Sequence, residues 1–235
     1  MIDLAPEWLE ALRESSAATV STVLRKHGLH RVSLRGPRPL RQGQPRLVAA
    51  AATMRFIPAR EDISTSESAT GPKSARGILP HLPPGSVIVA AAHGITNAGV
   101  FGDIVAAHMR NMGFAGLVTD GPIRDLAGHL ASDWPVWADG TVPPPSPEGL
   151  FLADYQVPVG IGGVSVFPGD VIIADDDGAV VVPRALVEAI AQESRDTERF
   201  EAWALAEVNA GAALGGLYPP NEQTMERYRR EMAAR

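Results

Sequence analysis

"SVIVAAAHGITNAGVFGDIVAAHMRNMGFAGLVTD", residues 86–120, decides the fold. It opens on an apolar run, SVIVAAA (86–92), far shorter than the ~20 residues that a membrane-spanning helix needs. A glycine-containing loop, HGITNAGVFG (93–102), follows it and enters a helical pattern, DIVAAHMRNM (103–112), which Gly113 ends. On that helix Ile104, Val105, Ala107 and Met112 predict one buried stripe. A second apolar run, AGLVT (115–119), leads through Asp120 and Gly121 into another helix start, IRDLAGHLA (123–131), and PVWA (135–138) supplies a third strand. Apolar runs alternating with helical patterns at this spacing predict parallel strands joined by crossover helices, a βαβαβ unit.

On the N-terminal side, APEWLEALRESSAATVSTVLRKHG (5–28) predicts two short helices, with Ser15 or Ser16 as a cap and Gly28 as a stop. RLVAAAATMRFIP (46–58) predicts a strand, and AREDISTSESATGPKSARG (59–77) a long polar loop or short helix, of a length that often carries function. Its GPKS (71–74) fails as a phosphate-binding loop, because Ser66 stands where the motif needs a further glycine. On the C-terminal side, a proline-rich connector (141–149) precedes short β segments at 157–163, 164–167, 170–175 and 178–183. Turn signals at Pro168-Gly169 and Asp176-Asp177-Gly178 separate them as hairpins. Residues 183–211 predict one long helix with Leu186, Ile190, Phe200, Leu205 and Val208 among its buried positions, and the tail beyond should extend outward. The expectation is a single α/β domain over residues 1–235 with three-layer β/β/α packing. It comprises an N-terminal helical segment (1–45), an α/β core (46–183) and a C-terminal helix with its tail (184–235).

Composition narrows the function classes. With 45% apolar and 20% charged residues the chain is of the ordinary globular class, and its lack of cysteine excludes disulfides and thiolate metal sites. No export signal is visible, so a cytoplasmic protein is expected. A net charge of −6 argues against a nucleic-acid partner, and the Arg-rich stretch 25–46 is broken by Pro and Gly and reads as a solvated face.

In open α/β sheets, ligands bind where the carboxyl ends of parallel strands pass into helices. Two such loops should be neighbours here: one carries Gly99, Gly102 and Asp103, the other Asp120, Gly121, Arg124 and Asp125. Twenty residues separate Asp103 from the Arg-Asp pair. Together they would place an amide nest, a guanidinium and two carboxylates in one cleft, suited to a small anion held against Mg²⁺ or Mn²⁺. The competing reading makes Asp103 and Asp125 helix caps worth ~1 kcal/mol each and Arg124 a solvated cation. The residues alone leave both open.

The stretch GDIVAAHMRNMGFAGLVTDGPIRD (102–125) resembles the Asp, twenty residues, Arg-Asp signature of the class II pyruvate aldolases that cleave 4-hydroxy-4-methyl-2-oxoglutarate. That family shares its fold with the regulator of ribonuclease activity A, RraA. The resemblance continues through PVWADGTVPPP, VPVGIGGVSVFPGDVIIADDDGAVVVP and GLYPPNE, covering roughly residues 80–222. It implies an RraA-like swivelling-domain fold and a divalent-metal-dependent lyase acting on a pyruvate-yielding 2-keto acid, by retro-aldol cleavage, oxaloacetate decarboxylation or both. Asp125 would then hold the metal, Arg124 the keto-acid oxygens, and backbone amides across Gly99, Val100, Phe101, Gly102, Asp103 and Ile104 the pyruvoyl carboxylate. Asp103 would position or deprotonate a water.

One departure is Gly128, where the RraA branch typically carries a further acid. The resemblance also implies a homotrimer or homohexamer with an acidic group donated by a neighbouring subunit, for which Glu193 and Glu198 are candidates. The alternatives are a protein-binding regulator of a ribonuclease and a same-fold enzyme for another sugar-acid or aromatic-degradation intermediate.

Other residues carry less. His93, at a strand end, is a minor candidate for touching substrate; His108 and His129 lie at no zinc-ligand spacing and read as structural. ADDDG (174–178) reads as a hairpin turn, and GIGG (160–163) lacks the helix that a dinucleotide fingerprint needs.

Overall fold

The structure, a computed structural model, describes residues 4–233. Its helices are α1 (Pro6–Glu14), α2 (Ala17–Lys26), α3 (Ser66–Thr70), α4 (Asp103–Asn111), α5 (Leu126–Leu130), α6 (Val187–Asn209) and α7 (Glu222–Ala233). Its strands are β1 (Arg38–Pro39), β2 (Leu47–Pro58), β3 (Val87–Ala91), β4 (Gly116–Thr119), β5 (Val136–Ala138), β6 (Leu150–Tyr155), β7 (Val159–Ile161), β8 (Val164–Val166), β9 (Val171–Asp175) and β10 (Gly178–Val182).

The predicted βαβαβ unit is present: β2, β3, β4 and β5 lie side by side and parallel. The sheet order is β1-β5-β4-β3-β2-β9-β10, with β6 paired to the far end of β2. β2 serves three partners because it is twelve residues long: its first residues pair antiparallel with β9, its middle with β3 and its last with β6. The chain before β1 bridges to β10 at Ser33↔Val180, and β1 itself pairs with β5. One short segment thus joins the two edges, and the mixed sheet curls into a nearly closed barrel that leaves few strand edges free.

Side-chain alternation distributes the core. On β3, Ile88 and Ala90 face a cluster with Met54, Leu117 and the α4 residues Ala106 and Met109, whereas Val87 and Val89 face the β7–β8 hairpin through Val159, Ile161 and Val166. Hairpin, sheet and helices therefore stack as β/β/α. A third cluster packs α1, α2 and α6 on β9 and β10 through Leu12, Val20, Leu24, Ile173, Val182 and Ile190. Ser16 caps α2 by accepting from the Thr19 amide at 3.0 Å, a contact worth about 1 kcal/mol.

Four expectations change. The buried side of α4 is Ala106 and Met109, with Val105 and Met112 packed beside them, while Ile104 is 82% exposed and Ala107 is also exposed. The stripe is offset because Ile104 stands at the free N-terminal turn, above the sheet end. On α6, Leu205 and Val208 are exposed, and Trp203 and Ala204 are buried in their place. The tail does not extend outward: α7 folds back on α6, seating Tyr228 and Met225 against Phe200 and Trp203. Finally, β6 fills residues 150–155, between the connector and the first predicted β segment, where the sequence suggests no strand. No helix among the described residues is long and apolar enough to cross a membrane.

Candidate functional site

Because β2, β3 and β4 run parallel, the segments that follow them open over one end of the sheet. Gly102 caps α4, and Asp103 is its first residue; Asp125 occupies the corresponding position before α5. A capping aspartate accepts from an amide two or three residues on. Asp125 makes no such bond, and it adopts a left-handed backbone (φ 59°, ψ 48°), which turns the chain sharply between Arg124 and α5. Asp103 Oδ1 accepts from the adjacent Ile104 amide at 2.7 Å, a one-residue contact. Neither carboxylate behaves as an ordinary cap.

Arg124 Nε lies 3.0 Å from Asp125 Oδ2, within ion-pair distance, and the two side chains are 36% and 42% exposed. The Nε hydrogen is not aimed at that oxygen, however, so this buried nitrogen has no hydrogen-bond partner. The contact is a charge pair that leaves one buried donor unsatisfied, a costly arrangement within the folded chain.

The glycines show how closely the two loops interlock. A Cβ on Gly102 would lie 2.4 Å from Asp125 Oδ2 and 3.3 Å from Arg124 Cγ, and one on Gly99 would meet Arg124 Cβ at 3.0 Å. In the other direction, a Cβ on Gly128 would lie 1.9 Å from Asp103 Oδ2. Each loop's candidate side chain rests on the other loop's bare backbone. Gly128 therefore marks the seat of the Asp103 carboxylate.

Hydrogen bonding divides the predicted amide cradle. Gly99 N donates to Pro144 O, Val100 N to Pro122 O, and Ile104 N to the Asp103 carboxylate. The amides of Phe101, Gly102 and Asp103 have no protein acceptor among the described residues. These three stand at the start of α4, where the helix dipole favours an anion.

A cavity of about 260 Å³ opens beside them, lined by Gly99 to Gly102 and Arg124, with Phe56, Val105 and Leu150 among its apolar walls and Arg76 on the loop after β2. Asp103 lines a separate hollow with Gly128 and His129. The structure thus brings Arg124 and the Gly99–Gly102 backbone into one cavity, whereas Asp103 and Ile104 line the neighbouring hollow and Asp125 lines neither, so the two carboxylates do not share the cleft expected from the sequence.

His129 was readable only as structural, and it is indeed buried, yet its ring feels both Asp103 and Asp125. Burial lowers its pKa from the ordinary 6.5, outweighing the two carboxylates and the Phe101 and Arg124 carbonyls, which favour the proton. Its Nε2 has no hydrogen-bond partner. His93 and His108 are exposed and line neither hollow. Glu193 is taken by Lys26 and His27 of the same chain, and Glu198 accepts from Ser16 N, so both brace α6 on the N-terminal helices. Among the described residues no group of three or more His, Asp or Glu forms a metal cluster. Asp125, free of capping duty, still fits a hard cation such as Mg²⁺, which is commonly held by one or two carboxylates, with water and substrate completing the shell.

The family model described as RraA-like, Aldolase/RraA, matches residues 17–181. A Halalkalibacterium halodurans protein named "Putative 4-hydroxy-4-methyl-2-oxoglutarate aldolase" is 36% identical over 112 residues, 48% of this chain and 53% of that protein. Protein DlpA of Legionella pneumophila is 28% identical over 82% of this chain and 30% of its own length. The chain thus spans about half, or less, of these relatives. Among solved structures, Streptomyces coelicolor RraAS2, described as an unusual member of the RNase ES inhibitor RraA protein family, superposes with a TM-score of 0.78 at 35% identity, covering 87% of this chain and 100% of that one. An uncharacterised Pseudomonas syringae protein gives a TM-score of 0.79 at 25% identity, over 92% of this chain and 98% of that one.

Proposed function

The chain belongs to the Aldolase/RraA family, and from that premise we propose that it is a divalent-metal-dependent lyase releasing pyruvate from a 2-keto acid. The reactions in view are retro-aldol cleavage of a 4-hydroxy-4-methyl-2-oxoglutarate-type substrate and decarboxylation of oxaloacetate. The observation that carries the reading is that the part-exposed Arg124 side chain and the Phe101–Gly102 backbone, whose amides have no protein acceptor among the described residues, line one cavity large enough for a small acid.

In this reading the amides of Phe101, Gly102 and Asp103 bind the substrate carboxylate next to the keto group. Arg124 directs its guanidinium at the keto oxygen, where negative charge grows as the C–C bond breaks, and so stabilises the enolate-like transition state. Asp125 would hold Mg²⁺ or Mn²⁺, whose chemistry when bound is to polarise the same oxygen. Asp103, seated on Gly128 and fixed by the Ile104 amide, faces the neighbouring hollow, and its proposed part is to hold a water that reaches the cavity across the start of α4. Apolar walls at Phe56, Val105 and Leu150 limit water around the developing charge. The site is further proposed to lie at a subunit boundary of a homotrimer or homohexamer in the cytoplasm, with an acid from the neighbouring copy.

Pyruvate release from both substrates, followed with and without Mg²⁺ or Mn²⁺, tests the proposal. Arg124→Ala should lower kcat/KM by roughly 10²- to 10³-fold, the usual loss when one oxyanion donor is removed. Full activity in that variant would sink the mechanism, and absence of turnover with either metal would sink the substrate assignment. The likeness to RraAS2, which spans the whole of that chain, favours one other reading, a protein-binding regulator of a ribonuclease. Inhibition of such a nuclease by an Arg124→Ala protein that forms no pyruvate would select it.

A further inference from the structure

The cavity at Arg124 is lined by two charged residues, Arg124 and Arg76, and by no acid. Arg124 is ion-paired with Asp125, which lies outside the lining, so in a chain of net charge −6 it is Arg76 that brings uncompensated positive charge to the cavity. Arg76 reaches the cavity from the third segment over the same sheet end, the one after β2. Inside that segment α3 is secured by a capping box between Thr65 and Ser68. Arg76 Nη2 donates to the Ala69 carbonyl at 3.1 Å, and no carboxylate among the described residues pairs with it. The contact braces the guanidinium against the end of α3 without neutralising it. Phe56, Val105, Leu150 and Leu152 supply apolar lining to the same cavity, so two cations from different loops share a largely apolar pocket.

An acid with one carboxylate would satisfy the Arg124 side and leave the second guanidinium facing an apolar chain end. A second carboxylate would find in Arg76 a planar pair of donors matched to its two oxygens. We propose that Arg76 is a specificity-determining residue that binds the carboxylate remote from the keto group, so that the site prefers 2-keto dicarboxylates to monocarboxylates of equal length. This rests on the lyase reading for its substrate class, but its test does not require turnover.

Binding of 2-oxoglutarate and of 2-oxopentanoate, which share a five-carbon 2-keto chain and differ in the terminal carboxylate, is measured by calorimetry with Mg²⁺ present. The wild-type protein should favour 2-oxoglutarate by about tenfold or more, as expected for one charge-assisted contact. Arg76→Gln should bring that ratio near unity. Arg76→Lys, which keeps the charge but loses the planar fork, should lower the ratio severalfold, and it decides the matter if the glutamine variant fails to fold.

A wild-type protein with no preference or no measurable binding of 2-oxoglutarate overturns the proposal, as do variants that keep the full ratio. Pyruvate release with an unchanged ratio would remove the Arg76 subsite and leave the lyase. The expected ratios without pyruvate release from any substrate would remove the lyase and leave the subsite.

Discussion

At the scale of single residues, the candidate site depends on side chains that are missing. Gly102→Ala places a methyl group against Asp125 Oδ2 and the Arg124 stem, both of which can swing away, so the fold should tolerate it. The displaced carboxylate and guanidinium should not remain productive. We expect an almost unchanged thermal midpoint with a kcat/KM lower by about 10²-fold, the scale of loss that ångström-level misplacement brings. Equal losses of stability and activity would show that Gly102 serves the fold rather than the site.

His129 gives a pH signature. Its folded pKa lies below the ordinary 6.5 because burial disfavours the charged ring. As pH falls below 6.5, the unfolded chain takes up this proton before the folded one, so the associated stability is present above that value and lost below it. Urea midpoints in chelator-containing buffer should therefore decline on acidification through that window. The decline should be shallower in His129→Asn, and parallel profiles would refute the assignment.

At the scale of elements, the parallel strands and their glycine-ended crossovers were legible because short apolar runs and helical patterns alternate at a regular spacing. The face of α4 was less so: Ile104 continues an apolar pattern but falls at the turn where the helix leaves the sheet. β6 escaped because Leu150–Tyr155 follows a proline-rich connector and is buried on neither face for most of its length. The fold-back of α7 was equally hidden, since mean hydropathy in that helix is low and its docking rests on a few large side chains. Phe200, Trp203 and Tyr228 meet with ring centroids 5.3 to 5.8 Å apart, and Arg227 stacks over Trp203 at 5.0 Å while pairing with Glu207 and Glu231. Removing such a ring commonly costs about 3–5 kcal/mol. Because this cluster is separate from the main cores, Trp203→Ala should speed amide exchange across Glu222–Ala233 and leave β2 to β4 protected. Uniform acceleration throughout the chain would contradict that separation.

At the scale of the whole molecule, closure of the sheet by the segment 33–39 holds three strand-end loops in fixed relation. Two of those loops declared themselves in the sequence, through Asp103 and the Arg124-Asp125 pair. The third did not, because nothing periodic in residues 59–77 says that Arg76 will line the same cavity as Arg124. If a divalent ion binds Asp125 in the folded protein alone, it should raise stability, by about 2.7 kcal/mol at a concentration a hundredfold above its Kd. Mn²⁺ should therefore raise the thermal midpoint of the wild-type chain but not that of Asp125→Asn. An equal rise in both would place the ion elsewhere.

The left-handed backbone at Asp125 limits the ways in which this position can drift. Beyond glycine, asparagine is the natural substitute, since it tolerates the same dihedral angles and matches aspartate in size. That exchange removes a negative charge with little demand on the surrounding chain. A descendant could therefore lose chemistry in one step while inheriting every contour of its ancestor's surface, so resemblance in shape is a poor guide to whether a member of such a lineage still turns over.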